Sequence, residues 1–251
     1  MMQLYSVARY FARGRSAIVA PLMQIEFADF TAGARDARGV VIVVDVFRAC
    51  SLIAHAIAAG ARRVVPVAEI EDARALKHAH PDWHVIGERY AKPLPGFDGG
   101  NSPTELLRHP LAGRTIAHTT HAGTQGLTGA LHATHVFTGA LVNATATVRV
   151  IQELAPPYVT IVRMGQNALK RCTEDDLCAD LLAARFSGAA FDVAGVRERL
   201  RQAPAAAKFF DPAATWAPEG DFELCTAVDS LDIAVALRHH VGEPPALERA
   251  G

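Results

Sequence analysis

Residues 87–105 read Gly-Glu-Arg-Tyr-Ala-Lys-Pro-Leu-Pro-Gly-Phe-Asp-Gly-Gly-Asn-Ser-Pro-Thr-Glu. The segment gathers three carboxylates, two cations and an Asn-Ser pair with no helical or strand period. A polar loop of this length inside a compact domain is either functional or disordered, and disorder favours more monotonous composition. Hard-cation ligands beside anion clamps suggest a metal-assisted site for a phosphorylated substrate. Glu88, Arg89 and Asp98 are the residues that no helix start explains. Asn101 accompanies them, whereas Ser102 and Glu105 also read as an N-cap and capping box before Pro103.

Three further places end a predicted strand in chemistry. Asp45 closes the apolar run 40–44 and Arg48 opens the next helix. A carboxylate there suits Mg²⁺ or a water, and the guanidinium suits a phosphate. Thr119-Thr120-His121-Ala122-Gly123-Thr124 passes from strand through glycine into a helix, which suggests an anion cradle of hydroxyls and free N–H groups. It lacks the P-loop lysine, and His118 with His121 has no third ligand to make a metal site. Arg163 stands at the last of these strand ends. Beyond it, Thr173 and Asp176 read as a helix N-cap box, which accounts for the acids of Glu174-Asp175-Asp176.

Elements to position these groups follow from hydrophobic period. Val40-Val41-Ile42-Val43-Val44 predicts a strand buried on both faces. Strands are expected at 63–68, 83–87, 114–120, 136–139 and 158–164, with helices over 48–59, 69–78, 141–155 and 174–186, and one between residue 120 and Leu131. Beyond 187, a helix over 193–202 and late strands over 222–226 and 231–235 complete the pattern. Such alternation implies crossover units: a layered α/β/α fold with a largely parallel or mixed sheet, its sites at strand carboxyl ends. One domain over 23–240 is expected, with room for two similar lobes, and a tail over 241–251. Residues 1–22, with Arg9, Arg13 and Arg15 and no acid, read as a dispensable extension outside the fold.

Composition narrows the partners. Lys plus Arg is 25 and Asp plus Glu 26, so no global field favours nucleic acid or a membrane surface, and any anion must be held by local cations. The four cysteines show neither CxxC nor framework spacing, which fits a reducing cytoplasm. No apolar run approaches the ~20 residues of a membrane span. A homo-oligomer is compatible with this composition. Inspection also removes several phosphatase chemistries. The residue two after Asp45 is Phe47 rather than Asp, no cysteine is followed by Arg at the sixth place, and neither GxSxG nor GxGxxG occurs.

The blocks at 45–50 (DVFRAC), 87–105, 119–126 (TTHAGTQG), 138–144 (TGALVNA) and 174–180 (EDDLCAD), in this order, resemble the 2-phosphosulfolactate phosphatases, the ComB-like proteins. The likeness runs from about Met23 to Val235. It implies an α/β fold of layered units and Mg²⁺-dependent hydrolysis of 2-phospho-3-sulfolactate to sulfolactate and phosphate, a step toward coenzyme M. TTHAGT departs from the TTTNGT-like segment of that pattern, which bears on substrate more than on reaction. In this light Asp45, Glu88 and Asp98 are expected to bind Mg²⁺. Arg48, Arg89 and the Thr119, Thr120, Gly123 and Thr124 cradle would stabilise the transferring group, and Arg163 or Lys92 would meet the second anion of the substrate. Another small phosphorylated hydroxy acid, or anion binding without turnover, are the alternatives.

Overall fold

A run of five β-branched residues has no polar face, so it must be covered on both sides. In the computed structural model, which describes the backbone of residues 5–7 and all of residues 23–251, that run is β3 (Val40–Val44), wholly buried. Val40, Ile42 and Val44 face one apolar cluster with α6 (Ala144–Glu153) and α7 (Thr173–Ser187). Val41 and Val43 face another with α1 (Phe30–Asp36), α2 (Ala49–Ala58) and α5 (Gly123–Gly129). Each fully buried Val, Leu or Ile contributes ~1.5–3 kcal/mol, so these two faces hold the layers together. The result is the layered α/β/α arrangement expected from the sequence.

The sheet consists of two parallel sets joined by a hairpin. The first comprises β2 (Met23–Asp29), β9 (Tyr158–Arg163), β3 and β8 (His135–Gly139). The second comprises β4 (Arg63–Val67), β7 (Thr115–Thr119) and β5 (His84–Arg89), covered by α3 (Ile70–Ala79). Between them lie β10 (Ala234–Arg238) and β11 (Ala246–Ala250), antiparallel to each other and to their outer neighbours β8 and β4. The two sets therefore run in opposite directions along the ladder. Twist of roughly 20–25° per strand turns the second set by roughly 120–150° over the six steps from β3 to β5. The carboxyl ends of β3 and β5 line one cleft, through Asp45 and Glu88.

The edges carry β1 (Tyr5–Val7), antiparallel to β2, and β6 (Lys92–Pro93), antiparallel to β5. Residues 5–7 thus add a strand, and the rest of the stretch expected as an extension lies outside the described residues. Two late expectations are corrected. Residues 222–226 belong to a helix, α9 (Glu219–Thr226), which begins after Pro218 with acids in its first turn. The last strands lie further on, and the stretch expected as a tail contains β11. Its Ala-Leu-Glu-Arg-Ala sequence has weak strand propensity, and pairing on both sides makes it a strand. Among the described residues, no helix is long and apolar enough to cross a membrane.

Candidate active site

A cleft of about 340 Å³ opens where the carboxyl ends of β3, β5 and β9 meet the start of α7. Asp45 follows β3 directly and is buried, its Oδ1 accepting the Ala49 N–H at 3.3 Å. Burial, then the nearby Glu88 charge, push its carboxyl up to about 6, against the opposing pull of the Ala49 N–H and Lys208. Gly123 lies against it. A Cβ at that position would fall 2.7 Å from Asp45 Oδ2 and 2.6 Å from the Ala49 methyl, so only glycine fits.

Three other carboxylates line the cleft. Glu88, at the end of β5, accepts the His121 N–H at 2.8 Å and the Ala91 N–H at 2.6 Å. It thereby ties the left-handed Tyr90-Ala91 turn to the loop after β7. Asp175 accepts from Val46 N at 2.9 Å and Gly165 N at 2.7 Å, joining the loops after β3 and β9. Burial pushes it well above the carboxylate range, and Asp45 and Glu174 add to the effect. Glu174, raised by burial too, has a buried Oε2 with no hydrogen-bond partner among the described residues. The capping explanation for these acids does not hold. The N-cap of α7 is Cys172, with no side-chain cap bond, while Asp176 accepts from Arg171 at 2.9 Å.

Lys208 reaches the cleft from the 3-10 turn Pro204–Phe209, its Nζ 3.5 Å from the Phe47 carbonyl. Burial and the neighbouring Arg48 lower its pKa, while Glu174 and Asp45 pull the other way. Cys172 also lines the cleft, but burial, with Asp175 and Glu174 beside it, raises its pKa far up, so it stays a thiol and offers no nucleophile.

Several predicted anion clamps are committed elsewhere. Arg48 touches the cleft wall, yet its guanidinium pairs with buried Asp221 at 2.5 Å and donates to the Trp216 carbonyl at 2.8 Å. Asp221 in turn accepts from the Ser102 hydroxyl at 2.8 Å and Thr104 N at 2.9 Å, so Ser102 is a cap and a brace, away from the cleft. Arg89 donates to the carbonyls of Glu88 and Ala68 and to Thr119 Oγ1. Arg163 forks onto Asp29 at 2.8 and 3.1 Å. Thr120 and Thr124 bond each other's backbone N–H through their hydroxyls, which closes the expected cradle on itself. Lys92 is exposed, over the Trp216 ring.

Asn101 does reach the cleft, its Oδ1 3.1 Å from His118 Nε2. Burial and Arg89 push His118 down to about 3, so it is neutral. Asp98 does not reach it. It lines a separate cleft with His84 and Ser102, holds Lys77 at 2.5 Å and accepts Val85 N at 2.8 Å. Burial alone would raise the Asp98 carboxyl, but Lys77 and the Val85 N–H outweigh it and hold it low.

Among the described residues, no three His, Cys, Asp or Glu side chains form a ready metal cage. Mg²⁺ does not need one, since it keeps several waters and takes one or two carboxylates plus phosphate oxygens. Asp45 and the unpartnered Glu174 Oε2 fit that demand as all-oxygen donors. Glu88 has both oxygens engaged by N–H groups, though each retains a lone pair.

Comparison with known proteins gives this geometry its context. Residues 29–240 match the model of the 2-phosphosulpholactate phosphatase family. The chain belongs to that family. It is 38% identical over 182 residues to a probable 2-phosphosulfolactate phosphatase of Gloeobacter violaceus, covering 72% of this chain and 71% of the relative. A protein of the same description from Bacillus subtilis is 28% identical over 83% of this chain and 90% of its own length. The family is, by its name, one of phosphatases, which hydrolyse phosphoric monoesters.

The blocks that bore the resemblance contribute Asp45, Glu88, His121, Glu174 and Asp175 to the cleft wall. Sequence reasoning missed Lys208 and Asp221 altogether and set Glu174 and Asp175 aside as helix-start acids. One signal was available for the acids. Three consecutive carboxylates exceed what a cap needs, and α7 buries two of them.

Proposed function

We propose that this protein is a Mg²⁺-dependent phosphatase that converts 2-phospho-3-sulfolactate and water to 3-sulfolactate and inorganic phosphate, a reaction of the kind that leads toward coenzyme M. The observation that carries the reading is Asp45, a buried strand-end carboxylate raised to about 6 within a cleft walled by three more carboxylates. At neutral pH such a group is ionised although buried, which suits it to hold a divalent cation beside an attacking water; the ion, once bound, would pull its carboxyl back down. Attack by Asp45 itself on phosphorus is the competing route.

Asp45 and Glu174, with Glu88 behind them, would hold Mg²⁺. When bound, the ion supplies Lewis-acid neutralisation of the phosphoryl oxygens. Glu88 and Asp175 are positioning residues: each fixes two backbone N–H groups and so sets the loops that carry Asp45 and His121. Asn101, oriented by neutral His118, presents its amide to the cleft for a substrate oxygen.

A second reading, hydrolysis of another small phosphorylated hydroxy acid, is favoured by one fact. Neither Arg163 nor Lys92 lines the cleft, so the second anion of sulfolactate lacks its expected cation among the described residues. Steady-state phosphate release over a panel of phosphorylated hydroxy acids, with Mg²⁺ and with excess EDTA, tests both. We expect release that EDTA abolishes and that is fastest with the sulfonate. A carboxylate-only ester as the best substrate selects the second reading. Release unchanged by EDTA overturns the metal-dependent reaction.

A further inference from the structure

The charge balance of the cleft poses a problem for any phosphate ester. Asp45, Glu88, Glu174 and Asp175 line it, while Arg48 pairs with Asp221, Arg163 with Asp29, and Arg89 donates to carbonyls and the Thr119 hydroxyl. Among the described residues, Lys208 is the cation that faces the cleft without a carboxylate in ion-pair contact.

We propose that the Lys208 ammonium is the group that receives the phosphoryl oxygens of the substrate beside Asp45, and so makes the cleft selective for phosphoric monoesters. The assignment rests on the phosphatase reading above. An ammonium has three N–H donors. One meets the Phe47 carbonyl at 3.5 Å, the outer limit of a hydrogen bond, which leaves two for an incoming oxygen. The head group lies 5.0 Å from the Phe209 ring centre and 5.9 Å from that of Phe47. Aromatic faces stabilise a cation without supplying an oxygen that would compete with a ligand.

The mount is rigid. Phe209 is buried, meets Phe47 edge-on at 5.0 Å and packs with Phe222 of α9, so the lysine springs from a fixed aromatic corner. Arg48, by contrast, spends Nη1 on Asp221 and the Trp216 carbonyl and turns Nη2 to the Ala91 carbonyl at 3.4 Å. A lysine is a point charge and not a planar fork, so it follows the oxygens of a tetrahedral phosphoryl group as that group flattens during transfer. Selectivity arises because a neutral ester offers no charged oxygen to the two free N–H donors, whereas a phosphoric monoester makes charge-assisted hydrogen bonds with them.

The test uses inorganic phosphate as the probe, titrated calorimetrically into the full-length protein with Mg²⁺ present, for the unmodified chain, Lys208→Met and Lys208→Arg. Mg²⁺ binding without phosphate is measured alongside. We expect Lys208→Met to weaken phosphate roughly 10- to 100-fold, the effect of losing charge-assisted hydrogen bonds. Lys208→Arg should recover part of the loss, and Mg²⁺ affinity should stay equal or rise, because a competing cation has gone. A merely structural lysine would move the melting temperature and not the phosphate affinity of the folded protein. Equal phosphate affinity in Lys208→Met, in Lys208→Arg and in the unmodified chain overturns the proposal, as does an unmodified chain that binds no phosphate. If phosphate binds through Lys208 but no ester is turned over, the phosphatase reading fails, the role toward a substrate falls with it, and an anion site at Lys208 remains. If esters are turned over equally by all three chains, this one alone fails.

Discussion

Two charged clusters, one behind the cleft wall at Arg48 and one lining the cleft, have opposite characters. In the first, Arg48 and Asp221 are both buried and bonded to each other and their surroundings: Arg48 Nη1 to the carboxylate and the Trp216 carbonyl, Nη2 to the Ala91 carbonyl, and the carboxylate to Ser102 and Thr104. In the second, Asp45, Glu174 and Lys208 influence one another's ionisation, yet no pair of them is in ion-pair contact and Glu174 Oε2 is unpartnered. A closed cluster fixes geometry, here the junction of α2, α9 and the end of the 87–105 segment. An open cluster is held against its own desolvation penalty, which is the pattern of a site waiting to bind charge.

The largest effects should separate the two clusters by kind. Asp45→Asn is expected to lower kcat for the best phosphomonoester at least 10³-fold, about 4 kcal/mol of barrier, while raising the urea midpoint at pH 7.5 because an uncompensated buried charge is gone. Asp221→Ala should do the reverse. Breaking a buried pair by removing one partner destabilises by about 3–5 kcal/mol, read as a lower urea midpoint, with activity per folded molecule falling less than in Asp45→Asn. A destabilised Asp45→Asn, or an Asp221→Ala as stable as the unmodified chain, would break the contrast.

The next effect is a pH dependence with a definite sign. The native Asp45 pKa of about 6 lies above its ordinary 3.8, so the folded state holds the extra proton between these values. The stability contribution is therefore present at low pH and lost as pH rises through about 6. About two pH units correspond to a penalty on the order of 3 kcal/mol at pH 7.5. His118, His55 and His84, all depressed chiefly by burial, act in the opposite direction, since the unfolded chain protonates them first as pH falls. The clean measurement is thus a difference. Asp45→Asn should exceed the unmodified chain in unfolding free energy at pH 7.5, without divalent cations, and match it near pH 4. Equal differences at both values would remove the shifted Asp45 from the account.

The same contrast shows how far the sequence could be read. β3 and its neighbours were legible because buried runs bounded by turns leave few alternatives. So were Asp45 and Glu88, because a charge at the end of such a run is hard to explain as surface. Lys208 was not: Ala-Ala-Ala-Lys-Phe-Phe has no period, and its chemistry depends on where Phe47 and Phe209 place it. Arg48 and Arg163 were legible as cations, but sequence does not show which carboxylate reaches them first. Asp221 lay just before a stretch expected as a strand and outside every site block, so its claim on Arg48 was invisible. Partnerships between distant segments, at separations such as the 173 residues between Arg48 and Asp221, follow from the fold and not from local pattern.

The smallest effect divides the 87–105 segment itself. Glu88 at its start lines the cleft, whereas Asp98 lies in another cleft with Lys77 against one oxygen and Val85 N against the other. Both members of that ion pair are about one-third exposed, which limits it to ~0.2–1 kcal/mol. Asparagine retains an acceptor for the Val85 N–H. Asp98→Asn should therefore lose at most about 1 kcal/mol in urea denaturation and leave kcat/KM and the Mg²⁺ concentration for half-maximal activity within about twofold, too little to reflect a lost charge-assisted contact. Glu88→Gln, by comparison, should change both, because it alters the charge beside Asp45 and loosens the turn at Ala91. A 100-fold loss of turnover in Asp98→Asn, with a raised Mg²⁺ requirement, would return Asp98 to the metal set and make the segment one site after all.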